Sequence, residues 1–411
     1  MATTIIFLFF AVYSLFTVGV HASTVLSSCG SWDKRTVVCV NKYASVLPGT
    51  FSRTAPTNLG ATDSFASTVV PADTSFASIV NATFIVYDLA RAQTILGSAP
   101  TLQVMFSTPM VHHEAPIYVP ELGRLYVSPI DQADTELLVI NLNVSPPTLE
   151  YLTPNPPLYA ATGSAYHNGL LYYSTTGMNN SASSEFFTTG IYTLDPKTNK
   201  TAPLLNNYFG YYFNGADDLA IESNGDIWFT DDDYGWLDKT STNAPSLAPA
   251  IYRFRPSTGV VQVASTALSQ PNGIRFSPSG KVLYATDTGA ASGSLSVPFS
   301  EISYTLDYRG PRTIYAFDVV QYSTNTSSVI NQRPIYQAVE WAPDGLQIAR
   351  NGYLVAASGY SIDIMDETGI LLVQIQAPFR VNSIAFAGKN MNELWLVGLG
   401  NIARVEWALQ G

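Results

Sequence analysis

Apolar and polar residues alternate in short runs along most of this chain, and the runs come in pairs. In Pro271–Asp287, Ile274 and Phe276 are spaced by two before Ser277-Pro-Ser-Gly280; Val282, Tyr284 and Thr286 are spaced by two after it. Alternation on both sides of a tight turn predicts a half-buried antiparallel hairpin. The phrase recurs as Ile117–Val127 behind Glu114, then as Ser164–Ser174, Asp217–Asp231, Asp344–Ala356 and Asn382–Val397. Successive copies lie roughly 40 to 70 residues apart, close to one propeller blade with variable loops. Single strand-like runs stand between them: Ile191–Asp195, Ile251–Phe254 and Ile314–Asp318. These supply outer strands. The pattern predicts an all-β fold, a six-bladed β-propeller over residues 81–411.

The ends of the chain break the pattern. After the last hairpin only Ile402–Trp407 reads as a strand, which leaves the final blade one strand short. Phe84–Asp88 has the outer-strand pattern and no partner of its own. It is expected to pair antiparallel with Ile402–Trp407 and latch the ring, since an open sheet edge is costly. Residues 23–80 are rich in Ser, Thr, Ala and Pro with weak periodicity, and read as an irregular N-terminal extension. Residues 1–22 carry the apolar run Ile5–Val20 and end in Val20-His-Ala22, the form of a secretory signal peptide. No Lys or Arg precedes the run, and no basic stop-transfer cluster follows it. The expectation is secretion, with no membrane anchor.

Secretion changes how the remaining residues are read. Cys29 and Cys39 are the only cysteines, and in an oxidising compartment they are expected to form one disulfide. Sequons at Asn81, Asn143, Asn179, Asn199 and Asn325 fit the same route as glycosylation sites. The formal charge of −11 disfavours a nucleic-acid partner, which needs a basic surface. It equally suits plain solubility. Thr288 opens a Gly/Ser-rich loop reaching about Pro311, long enough to serve as a binding loop or as surface decoration.

In a propeller the innermost strands run along one channel, so equivalent repeat positions converge. Those positions are Glu114, the segment Thr162–Ser164, Asp217, Asn272, Asp344 and Asn382. Asn272-Gly273 and Asp344-Gly345 are also turn signals in their own right; Glu114 is not. Several acids meeting in one channel repel unless a cation sits between them, and a hard, oxygen-coordinated divalent ion, Ca²⁺ foremost, suits such a set. His113 abuts Glu114 and is a candidate base or a support for a ligand. A structural histidine would read the same way. No Gly-x-Ser-x-Gly elbow, His-Glu-x-x-His helix or phosphate-cradling loop is present, so a serine nucleophile and a zinc protease have no footing.

His113-Glu-Ala-Pro-Ile-Tyr118, Pro271-Asn-Gly273, Asp287-Thr-Gly289, Gly310–Asp318 and Pro343-Asp-Gly345 together resemble the regucalcin/gluconolactonase family. The likeness is nearest to its secreted fungal lactonohydrolases and runs from about Phe84 to the C-terminus. The resemblance implies a six-bladed propeller with one catalytic divalent metal, usually Ca²⁺, held by Glu114, Asn272 and Asp344. It also exposes a departure. The family often has Asn-Asp where this chain has Asp217-Asp218.

Two functions follow. One is a metal-dependent lactonase, in which Asp344 or Asp217, with His113 as a further candidate, takes the proton of the attacking water. The other is a non-hydrolytic biosynthetic catalyst steering a cycloaddition of a polyketide or terpenoid intermediate. That role needs an aromatic mouth, for which Tyr208, Phe209, Tyr211, Tyr212, Phe213, Tyr234 and Trp236 are candidates. Asp217, Tyr212 and Trp236 are the expected substrate-binding residues. A propeller that only binds is a third reading, disfavoured by the cost of burying idle acids.

Overall fold

Four antiparallel sheets of four strands follow one another along the chain in a computed structural model. It describes residues 23–26, 29–41, 45–53, 65–108, 112–130, 135–180, 185–322 and 325–411. The first sheet holds His113–Val119, Arg124–Pro129, Leu137–Asn141 and Thr148–Leu152; the second, Ala161–His167, Leu170–Thr175, Gly190–Asp195 and Lys200–Leu205. The third holds Ala216–Ile221, Ile227–Asp231, Ala250–Arg255 and Val260–Ser265. The fourth holds Pro271–Phe276, Val282–Asp287, Thr313–Gln321 and Ser327–Gln337.

The rest of the chain forms an eight-stranded sheet. Its backbone is Leu371–Ala387, a long strand that pairs with Leu354–Met365 along its first part and with Glu393–Gly398 along its last. Leu346–Ile348 flanks the first part and Asn401–Glu406 the last.

The first strand of each sheet touches the first strand of the next, and the contacts close on themselves. His113–Val119 meets Ala161–His167, which meets Ala216–Ile221, then Pro271–Phe276, then Leu346–Ile348, then Leu371–Ala387, which returns to His113–Val119. An apolar core fills each junction between neighbouring sheets. Trp228 and Ile251 of the third sheet pack with Ile274, Leu283 and Phe317 of the fourth. Val127 and Ile140 of the first pack with Trp395 and Ile402 of the last strands. Stacking sheets this way buries both faces of each, which is why the inner hairpins carry so many apolar residues.

The strand that closes the ring is not the one expected. Asn401–Glu406 pairs antiparallel with Thr101–Ser107, Asn401 opposite Ser107. Phe84–Val86 pairs instead with the earlier part of Leu371–Ala387, Phe84 opposite Ile375. Between the two lies the helix Leu89–Leu96, whose first turn is capped by the Asp88 carboxylate accepting the Arg91 N–H at 3.0 Å. That helix carries the chain across one interval, so the N-terminal segment edges two neighbouring four-strand groups rather than one.

Upstream, Val37–Cys39 runs parallel to Phe84–Val86, and a small core of Val38, Phe76, Ile79 and Ile85 packs beneath the short helix Thr74–Asn81. Cys29 and Cys39 are joined by a disulfide, Cα atoms 5.4 Å apart. The apolar run of residues 5–20 lies outside the described residues. Among the described residues no helix is long and apolar enough to cross a membrane.

Candidate active site

Inner strands in all but one of these groups begin with the same irregularity. Pairing slips between Glu114 and Ile117, Ala161 and Gly163, Ala216 and Leu219, Pro271 and Ile274, and Val381 and Ser383. A bulge lifts residues out of the pleat and re-aims their side chains. The lifted stretches hold Thr162, Asp217, Asn272 and Asn382, and Glu114, opposite Ser128, is the last paired residue before its own slip. With Asp344, all of them line one cavity of about 580 Å³.

The glycines after two of these residues are not turn formers. A Cβ on Gly273 would stand 2.5 Å from the Asp344 carbonyl oxygen, and one on Gly345 would stand 2.8 Å from Ser383 Cα. Neither has a positive φ. Asn272-Gly273 and Asp344-Gly345 are therefore points where neighbouring inner strands approach too closely for a side chain.

A repeated set of hydroxyls fixes the same residues from behind. Ser174 donates to the Asp217 carbonyl at 2.5 Å, Thr230 to the Asn272 carbonyl at 2.7 Å, and Thr286 to the Asp344 carbonyl at 3.1 Å. Each hydroxyl comes from the second strand of the preceding sheet. The acids that follow two of them clamp the incoming loop. Asp231 accepts the N–H groups of Asn214 (3.1 Å) and Gly215 (2.9 Å), and Asp287 accepts those of Ser269 (2.8 Å) and Gln270 (3.0 Å). The acid at the end of the Asn272 hairpin is thus a fastener of backbone and not a site residue.

Charge is concentrated at one wall of the cavity. Burial drives the Glu114 carboxyl well above its ordinary range, helped by repulsion from Asp344 and Asp217. Burial does the same to Asp344, again with Asp217 adding to it, while Arg380 opposes. Asp217 is pushed up to about 7 by burial, and its neighbour Asp232 is driven higher by burial and by Asp217 itself. The Asn272 Nδ2 donates to Asp217 Oδ2 at 2.9 Å. Committing its NH₂ this way leaves the amide oxygen as the atom a cation could use. Asn382 Oδ1 is buried and has no hydrogen-bond partner.

Asp218, by contrast, faces away. It accepts from Arg275 at 2.7 Å and from the Ile274 N–H at 3.1 Å. Among the described residues no three His, Cys, Asp or Glu side chains are grouped to hold a metal by themselves. The set that fits one is mixed. The carboxylates of Glu114 and Asp344 and the Asn272 amide oxygen, with the orphaned Asn382 oxygen at hand, make an all-oxygen donor set of the kind hard divalent cations prefer.

Three expected site residues lie elsewhere. His113 is fully buried, with Nδ1 at 2.8 Å from the Gly398 carbonyl and Nε2 at 2.8 Å from the Thr108 hydroxyl. Burial lowers its pKa. With both nitrogens engaged it fastens the first sheet to the last strands, and the catalytic role passes from it. His112 lines the cavity instead. Tyr212 is 45% exposed and stands off the cavity, as do Phe209 and Tyr211. Trp236 is buried against Phe299 of the 288–311 loop. Of the seven aromatic candidates only Tyr234 lines the cavity, where Tyr304 and Trp341 join it. The cycloaddition reading loses the mouth on which it stood.

The sequence reasoning also missed Asp238 and Arg380. Arg380 follows no repeat position, so nothing in the pattern marked it. Asn81, Asn143 and Asn325 are exposed, Asn199 is half-buried with its Nδ2 donating to the Thr153 carbonyl at 2.7 Å, and the Asn179 side chain lies outside the described residues.

Comparison with known proteins gives the same direction. The family described as SMP-30/gluconolactonase/LRE-like region matches residues 114–399. Lactonohydrolase oryL of Aspergillus oryzae is 44% identical over 96% of this chain and 90% of its own length. Lactonohydrolase oryH of the same organism is 34% identical over 97% and 96%. Among solved structures, a gluconolactonase from Xanthomonas campestris superposes with a TM-score of 0.61 at 22% identity, covering 77% of this chain and 92% of that one. The calcium-binding regucalcin of Agrobacterium tumefaciens superposes at 0.54 and 16% identity, over 76% and 95%. These likenesses establish the propeller fold. The chain belongs to the SMP-30/gluconolactonase/LRE-like family.

Proposed function

We propose that this protein is a secreted, metal-dependent lactonase. Divided along Leu371–Ala387, the eight-stranded sheet counts as two blades, which with the other four makes a ring of six. The observation that carries the reading is the gathering of Glu114, Asn272, Asp344 and Asp217 on one wall of a cavity, in a chain 44% identical to a lactonohydrolase. A divalent cation, Ca²⁺ by the chemistry of the donors, would be held by Glu114, Asn272 and Asp344. When bound it supplies Lewis-acid chemistry at a lactone carbonyl.

The protein's own groups do the rest. Water adds to the lactone carbonyl carbon, the ring C–O bond breaks, and a hydroxy acid leaves. Asp217, oriented by Asn272 Nδ2, takes the proton of the attacking water and returns it to the ring oxygen. Tyr234, Tyr304 and Trp341 provide the apolar wall that orients the ring of the substrate and limits bulk water. Secretion rests on the apolar run before Ser23, on the disulfide and on the exposed sequons.

The test follows acid release from a panel of γ- and δ-lactones by the full chain. Hydrolysis should be abolished by chelator and restored by Ca²⁺. Undiminished hydrolysis in chelator, or none from any lactone with Ca²⁺ present, would overturn the proposal.

A further inference from the structure

The acidic wall of the cavity has one feature set against it. Arg380 is the only Lys or Arg among the described lining residues. It sits at the start of the part of Leu371–Ala387 that lines the ring, its guanidinium 4.8 Å from the centre of the Trp341 ring. Stacking on an aromatic face holds the planar fork in one orientation. No described carboxylate forms an ion pair with it, no described side chain shares a hydrogen bond with it, and its Nε is buried without a partner. The acid at the mouth is already occupied, since Tyr304 Oη donates to Asp238 at 2.5 Å. Arg380 therefore lines the cavity with donors for which no described side chain supplies an acceptor.

We propose that Arg380, stacked on Trp341, binds a carboxylate carried by the substrate, so that the protein acts on lactones bearing a pendant acid group. This rests on the lactonase reading and names its substrate class. A carboxylate matches a guanidinium fork with two parallel hydrogen bonds. Four acids share the lining with it, Glu114, Asp217, Asp344 and Asp238, so among the described lining residues Arg380 is the one Lys or Arg that can offer an anion a fixed positive charge. An anion held at Arg380 fixes which way round the lactone enters. Its acid group goes to Arg380 and its carbonyl to Glu114, Asn272 and Asp344.

The experiment compares a lactone carboxylic acid with its methyl ester, in wild type, Arg380→Gln and Arg380→Lys. The ratio of kcat/KM for acid over ester should be about tenfold or more in wild type, as a charge-assisted pair implies. It should collapse toward one in Arg380→Gln and be partly kept in Arg380→Lys. An equal ratio in wild type and Arg380→Gln overturns the assignment. Calorimetric binding of tetrahydrofuran-2-carboxylate against its methyl ester gives a second readout that needs no turnover. Wild type should prefer the carboxylate, and equal affinity for the two probes contradicts the proposal even if the variants do not fold. Carboxylate binding that chelator removes and Arg380→Gln leaves intact assigns the anion to the metal and also overturns it. If no lactone is hydrolysed yet the carboxylate preference depends on Arg380, the anion site stands and the lactonase reading falls.

Discussion

At the scale of single residues, the site is made by side chains that share a backbone device rather than a sequence motif. The bulges that lift Asp217 and Asn272, and the one that starts just after Glu114, recur because the inner hairpin itself recurs. What differs is the residue placed on the bulge. Asp217 gives the wall a carboxylate beyond the three proposed ligands. Asp217→Asn should lower kcat by about a hundredfold or more while leaving Ca²⁺ affinity within a few-fold of wild type. A parallel loss of metal binding would make Asp217 a ligand instead of the base. Gly273→Ala probes the packing beneath. Its Cβ would meet the Asp344 carbonyl at 2.5 Å, on backbone that cannot swing aside. That variant should fold with reduced stability and bind Ca²⁺ at least about tenfold more weakly, because moving Asp344 spoils the donor set. Calorimetry and a thermal melt on one sample check both effects.

At the scale of elements, the period-two hairpins were legible because one face of each inner strand packs a neighbouring sheet while its polar ends face the cavity. The closing strand was not. Phe84–Val86 is buried and carries the outer-strand pattern, whereas Thr101–Ser107 is mostly exposed at an edge, which blurs its alternation. Tyr212 and Trp236 misled for a related reason. Aromatic residues fill the junctions of every pair of sheets, so their presence near a hairpin does not separate core, surface and site. Arg380 lies where Leu371–Ala387 passes from one pairing to the next, a feature no local pattern announces. The third sheet also carries a buried charge centre. Asp226 bonds both Arg253 and Arg255, the latter at 2.8 Å, and Arg255 in turn reaches the Asn325 carbonyl of the fourth sheet. Asp226→Ala should cost about 3–5 kcal/mol by leaving Arg253 buried and unpaired. Denaturant melts measure it; a loss under about 1 kcal/mol would show that the pair is solvated.

At the scale of the molecule, the ring concentrates acids at its centre, and stability should report this. Glu114, Asp217, Asp232 and Asp344 all have folded pKa values above their ordinary ones, Asp217 near 7. The unfolded chain ionises them first, near pH 4, so the folded state holds protons that the unfolded state has lost. In chelator, stability should be greatest in mild acid and fall as pH rises from about 4 through 7, as Asp217 and its neighbours ionise together in a buried space. A cation bound by the proposed ligands would replace those protons as the neutralising charge, so added Ca²⁺ should flatten or reverse the decline. Thermal melts between pH 4.5 and 8, with chelator and with Ca²⁺, read the effect. A chelated protein that gains stability toward pH 8 would show that these acids are not buried together.

The central claim is that Glu114, Asn272 and Asp344 hold one divalent cation in the cavity. Calorimetric titration of the chelator-stripped full chain with Ca²⁺ tests it most directly. The account predicts a single site per chain in the wild type, at least about a hundredfold weaker in Glu114→Gln, whose fold a melt confirms. No saturable site, or an equal one in Glu114→Gln, would contradict it.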